Sequence, residues 1–123
     1  MTWDEVRAIA LSFPGVEEAT SYGTPSFRVK GKFLTRLRPE DDSLVLVDVP
    51  FDEREMLIEA EPGTFHTTAH YKDYPSVLAR LETLHPGSLR QFLERRWRNV
   101  APKRAVKAFD AAREAPPTQA FPT

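Results

Sequence analysis

Tyr22-Gly23-Thr24-Pro25-Ser26-Phe27-Arg28-Val29-Lys30-Gly31-Lys32-Phe33 is the stretch whose period decides the fold. Over residues 26–30, Phe27 and Val29 face one way and Arg28 and Lys30 the other, the alternation of a half-buried strand. Gly31 supplies a hairpin turn. Beyond it, Phe33, Thr35 and Leu37 are predicted to continue one face, with Lys32, Leu34, Arg36 and Arg38 on the other. Residues 39–43 form a polar turn, and the nearly continuous apolar run over 44–49 suits a central strand. Upstream, residues 17–21 read as a short strand, joined through a loop that Pro25 bends. The product is an antiparallel meander.

Helices are predicted on both flanks. Thr2 and Glu5 have the spacing of a capping box, and Val6, Ile9, Ala10 and Phe13 give the first helix one apolar face before Pro14-Gly15 ends it. Asp52 with Glu55 places a short helix over 53–60, closed by Pro62-Gly63. Residues 64–71 are rich in β-branched and aromatic side chains and read as a strand, whereas 76–81 fit strand or helix. Ser88 with Gln91 caps a longer helix with Leu89, Phe92, Leu93, Trp97 and Val100 inward. Pro102 opens a last helix with Ala105, Val106, Phe109 and Ala112 inward. The fold class is therefore α+β: an antiparallel sheet covered by N- and C-terminal helices. Residues 1–113 form one domain, and 114–123, with three prolines and no periodicity, a mobile tail.

The chain has 123 residues, 41% hydrophobic and 28% charged, enough for one packed core. No run of about 18 apolar residues exists, so no membrane partner is expected. The acidic start, Met1-Thr2-Trp3-Asp4-Glu5, lacks the basic region of a signal peptide, so a cytoplasmic location is expected. Without cysteine there is no disulfide, thiolate metal site or cysteine nucleophile. No phosphate-binding glycine loop, nucleophile elbow or zinc-protease motif occurs, so neither an enzyme nor a cofactor is expected. His66 and His70 are four apart, but on a strand that spacing spans roughly 13 Å, too far for one metal. The turn Asp41-Asp42-Ser43 caps backbone groups rather than holding a cation. A pocket at Tyr22, Thr24, His66, His70 and Tyr71 is the one enzyme-like signal, and Trp3 and Trp97 are expected to pack rather than to stack on bases.

The net charge of -1 hides segregation. Residues 28–38 hold five basic side chains and no acid. Residues 40–61 hold nine acids opposed by Arg54 alone, and 72–113 hold ten basic residues and four acids. Arg28, Lys30 and Lys32 around the turn, with Arg95, Arg98, Lys103 and Arg104 on the C-terminal helices, are the candidate phosphate contacts. Against this, basic residues also guard a sheet from edge pairing, and the C-terminal block can pair with Asp52, Glu53, Glu55, Glu59 and Glu61.

Phe13-Pro14-Gly15, the stretch from Tyr22 to Phe33, and Trp97 with Ala101-Pro102-Lys103-Arg104 resemble the MmcQ/YjbR-like family of small bacterial proteins. The resemblance covers roughly residues 1–112 and is most specific from Gly23-Thr24-Pro25 to Gly31-Lys32-Phe33. It implies a fold akin to type III secretion chaperones and DNA binding by hairpins that act as a double wing; it brings no catalytic residues. Where the family carries a strand aromatic, this chain has Val77 near Pro75, so a departure is expected at the sheet edge. Weak, non-sequence-specific DNA binding is the leading expectation. The alternative is a chaperone-like adaptor for a protein partner or a second copy of itself, and a small-molecule binder or enzyme ranks third.

Overall fold

The computed structural model describes residues 1–114; the expectation of a mobile tail falls, but for Glu114, outside them. Ten elements follow in order: α1 (Trp3–Leu11), β1 (Val16–Ser21), β2 (Thr24–Val29), β3 (Lys32–Arg38), β4 (Ser43–Val47), α2 (Phe51–Ala60), β5 (Phe65–His66), β6 (Ser76–Arg80), α3 (Pro86–Val100) and α4 (Lys103–Glu114). The strands form one six-stranded sheet in the order β1-β2-β3-β4-β6-β5. Every neighbouring pair is antiparallel. The fold is α+β, as the sequence pattern predicts.

Both β1–β2 and β2–β3 close in two residues. Tyr22-Gly23 turns with φ of 53° and 76°, and Lys30-Gly31 with 50° and 80°. Such paired positive angles match the twist of the strands they join. Pro25 sits inside β2, opposite Thr20 of the edge strand, so the predicted bent loop is a tight hairpin.

One extra residue then alters the alternation on β3. Thr35 pairs with Phe27, yet Phe33 pairs with Arg28, so Leu34 has no opposite number and forms a bulge. Thr35 and Leu37 keep the inward side. Leu34, predicted outward, is 1% exposed in the core, and Phe33, predicted inward, lies on the opposite face.

The core lies between one sheet face and the helices. Phe27, Val29, Leu44, Leu46, Val77 and Ala79 supply the sheet side. Val6, Ile9 and Ala10 of α1 and Leu89, Phe92, Leu93 and Trp97 of α3 close it. Trp97 is fully buried, its ring 4.9 Å from Phe109 and 5.9 Å from Phe13, and its Nε1 donates to the Pro14 carbonyl at 2.8 Å. Thr2 and Glu5 form the predicted capping box.

Other boundaries differ. Pro50 occupies the N-cap of α2 without a side-chain bond, so Asp52 is already helical. Pro86 with its fixed φ opens α3, and His85 Nδ1 caps it by accepting from Gly87, which displaces Ser88 from the cap. Ala112 on α4 is exposed. Residues 76–80 resolve as strand, and Val77 sits fully buried on β6, inside the sheet rather than at its edge.

Phe92 is 8% exposed and meets Phe65 edge-on at 6.0 Å, joining α3 to β5. Phe92→Ala is expected to cost roughly 3–5 kcal/mol in urea unfolding with an unchanged denaturant slope.

Candidate functional site

The basic residues divide by what they touch. Lys30 and Lys32 flank Gly31, are exposed, and form no ion pair among the described residues. Arg28 is turned back on its own hairpins, donating to the Gly31 carbonyl at 3.2 Å and to Ser21 Oγ at 2.9 Å. Arg95 is held by both Glu53 oxygens, at 2.9 and 3.0 Å, and by the Asp48 carbonyl at 3.2 Å. Arg98 donates to Glu94 at 2.9 Å and to Asp110 at 3.0 Å. These bonds raise the Arg98 pKa, Asp110 chiefly, and hold Asp110 below the usual carboxylate range. Burial pushes Glu94 up, but hydrogen bonds from Arg98 and Arg113 outweigh it and leave its pKa lowered.

Lys103 and Arg104 are exposed in the first turn of α4, where no acidic residue stands. Positive charge there adds to the helix dipole instead of offsetting it. Arg96 Nε donates to the Phe33 carbonyl at 2.8 Å, so the last turns of α3 lie against the start of β3, next to Lys32. The hairpin tip and the α3–α4 corner thus share one end of the molecule.

The sheet face away from α1 and α3 carries a cleft of about 720 Å³. Phe33, Val45 and Val47 form its apolar floor, and Tyr22, Tyr71 and Tyr74 its aromatic walls. Arg36 Nη2 donates to Tyr71 Oη at 2.6 Å, and its guanidinium lies 5.6 Å from the Tyr22 ring centre. Asp48, with φ of 61°, accepts from Arg96 at 3.1 Å and from Asn99 at 3.0 Å. The cleft brings Tyr22, His70 and Tyr71 together as expected from the sequence, and leaves out Thr24 and His66.

His70, Tyr71, Tyr74 and Pro75 wall this cleft, and the strand predicted over 64–71 keeps regular pairing only at Phe65–His66. Arg54 explains why. It is 5% exposed, and its guanidinium donates to the carbonyls of Lys72 at 2.8 Å, Tyr74 at 3.0 Å, and Tyr71 and Ser76 at 3.3 Å. A buried arginine satisfies carbonyls that a strand partner would otherwise take. In the sequence Arg54 is only the lone base of an acidic block, and nothing local marks it as buried.

The chain matches the YjbR family over residues 11–99, which spans every cleft residue and the Lys30-Gly31-Lys32 turn. The chain belongs to the YjbR family. Its relatives include uncharacterised proteins of Mycobacterium bovis and Mycobacterium tuberculosis, each 30% identical over 122 residues, covering 88% of this chain and 95% of theirs. No solved structure matches it.

In this YjbR-family domain His66 and His70 go separate ways. His66 Nε2 lies 3.0 Å from Ser43 Oγ and 3.5 Å from Asp41, while His70 packs edge-on to Tyr71 at 4.7 Å. His70 sits in a turn rather than on a strand. Among the described residues no three His, Asp or Glu side chains are placed to hold a metal. Nor is the Ser43–His66–Asp41 cluster a nucleophile arrangement: Asp41 and Ser43 meet the same ring nitrogen, and Ser43 is fully buried. No described helix is long and apolar enough to cross a membrane.

Burial, then the Arg80 charge, lower the His66 pKa below its ordinary 6.5, against the pull of Asp41. The unfolded chain therefore binds this proton more readily than the folded one. Stability held above the unfolded value is lost as pH falls through it toward the folded value. His66→Gln should flatten the slope of unfolding free energy against pH between about pH 7 and pH 5, read from urea titrations.

Arg54→Lys keeps the charge but loses the planar fork that reaches four carbonyls. Amides of residues 71–76 are expected to exchange hydrogen for deuterium faster, with a global loss of about 1–3 kcal/mol.

Proposed function

We propose that this domain is a cytoplasmic, non-enzymatic DNA-binding module that contacts phosphates without reading sequence. The observation that carries the reading is the exposed Lys30-Gly31-Lys32 tip, whose ammonium groups lack carboxylate partners among the described residues and share one end of the molecule with Lys103 and Arg104. Phosphate oxygens complement such a protruding basic tip and an uncompensated helix start. Arg28, Arg95 and Arg98 contribute by shaping that surface, since their guanidinium groups are bonded within the protein. Membership of the YjbR family supports the reading.

The adaptor reading ranks second. It calls for a contiguous exposed apolar patch. The large exposed apolar side chains, Leu11, Phe51, Met56, Tyr22 and Tyr74, are divided among α1, α2 and the cleft. The edge strand β1 is blunted by exposed Glu17 and Glu18.

Fluorescence anisotropy on a labelled duplex at several salt concentrations tests the proposal. The log of the binding constant should fall linearly with log salt, and replacing Lys30 and Lys32 together by glutamate should make the slope shallower by roughly 1.8, at about 0.9 per lost phosphate contact. Arg98→Ala should leave the slope nearly unchanged. A wild-type domain that fails to bind at low salt, or a double variant that binds equally well, refutes the reading.

A further inference from the structure

The cleft on the second sheet face carries an inference of its own, independent of the phosphate-binding tip. At about 720 Å³ it has the size of a site for a small organic molecule. Arg28, Arg36, Arg80, Arg90 and Arg104 meet no carboxylate among the described residues, and of these Arg36 lines the cleft. Arg7, Arg38, Arg95, Arg96, Arg98 and Arg113 each meet a carboxylate. Arg36, which lines the cleft, bonds only neutral acceptors among the described residues: Tyr71 Oη at 2.6 Å and the Leu37 carbonyl at 3.3 Å. A guanidinium has five N–H donors, so most of its hydrogen-bonding capacity is unspent. The carboxylate that lines the cleft, Asp48, is already taken by Arg96 and Asn99.

Tyr22 provides a second, separate observation. It holds φ of 53° at a turn position that ordinarily takes asparagine, aspartate or glycine, and the residue is 93% exposed. Backbone strain and an exposed aromatic ring coincide at the cleft mouth, over the unpaired arginine. The hairpin explains the backbone angle, as it does at Lys30, but not why a tyrosine stands there with its ring exposed. That choice is accounted for by a flat ring that stacks on Tyr22 while its charge meets Arg36.

We infer that the cleft binds a small planar aromatic molecule bearing one anionic group, with the ring between Tyr22 and Tyr74 above the Phe33 floor and the anion on Arg36. Arg36 recognises the charge, and Tyr22 recognises the ring. Arg54 positions the wall through its bonds to residues 71–76.

Indole-3-acetate is a suitable probe, with tryptamine as its cationic counterpart, each titrated into the labelled full-length domain and followed by two-dimensional amide NMR. Indole-3-acetate should shift amides of residues 22–23, 33–36 and 70–76 and saturate with a dissociation constant near or below 1 mM, roughly 4 kcal/mol of binding. Tryptamine should bind at least about tenfold more weakly, as should indole-3-acetate to Arg36→Met, which keeps the stem and removes the charge. Tyr22→Asn removes the ring and suits the turn, so affinity should fall about three- to tenfold while the melting temperature holds or rises. The variant with Lys30 and Lys32 replaced by glutamate should bind the probe as wild type does. That separates a failure here from a failure of the DNA reading. No shifts at the cleft up to about 5 mM probe, equal binding of tryptamine, or undiminished affinity in folded Arg36→Met and Tyr22→Asn overturns the inference.

Discussion

Arg54 takes its charge out of water to hold three carbonyls of one irregular segment and that of Ser76 at the start of β6, and the second face of the sheet depends on that arrangement. Residues 67–75 carry almost no regular pairing, so fixing them costs roughly 1–2 kcal/mol of backbone entropy per residue. A strand offsets that cost through a ladder. Here the offset comes from a guanidinium on α2, stacked 4.9 Å from the Phe51 ring, together with the Arg36 bond to Tyr71. Arg54 Nε is itself buried without a partner, and Glu55 lies 4.0 Å away. The tie is thus strong toward the segment and imperfect toward its own helix. The cleft exists because the segment is held against the sheet but not paired with it.

That distinction was not legible in the sequence. β-branched and aromatic residues over 64–71 serve a strand and a covering segment equally well, because both present alternating side chains to an apolar surface. Only β5 keeps the strand form, where Phe65 and His66 pair with Ala79 and Leu78. The elements with a complete local signature were readable. Thr2 and Glu5 cap α1, the Gly31 turn closes its hairpin, and the apolar stripe of α3 faces inward as its spacing predicts. The starts set by Pro50 and Pro86 were not, because a side-chain motif at Asp52 or Ser88 competes with a ring that already fixes the backbone one or more residues earlier.

The charge blocks show the same limit. Five basic residues over 28–38 look alike in sequence, yet the fold gives them different work. Arg28 braces two turns, Lys30 and Lys32 reach solvent, Arg36 enters the cleft, and Arg38 binds Asp41. The partners that decide this are remote: Asp48 meets Arg96 and Glu53 meets Arg95 across more than forty residues. Composition counts charges but cannot say which are already neutralised. Each exposed pair adds only about 0–1 kcal/mol, so their larger effect is to choose which cations remain for a ligand.

The bulge at Leu34 is what lets a single strand serve both the core and the cleft. Strict alternation would put Phe33 beside Thr35 and Leu37 on the core face and leave Leu34 beside Arg36 outside. One unpaired residue reverses the first pair without disturbing the second. Leu34 fills the core, and Phe33 lines the cleft together with Arg36. The register on both sides of the bulge is pinned, by Phe27 opposite Thr35 and by the two-residue turn that pairs Val29 with Lys32. The extra residue has nowhere to slip. A shift by one would expose Leu34, bury Phe33, and remove the aromatic floor from the site in the same step. Core packing and cleft chemistry are therefore fixed by the same backbone irregularity, even though they use opposite faces of the sheet.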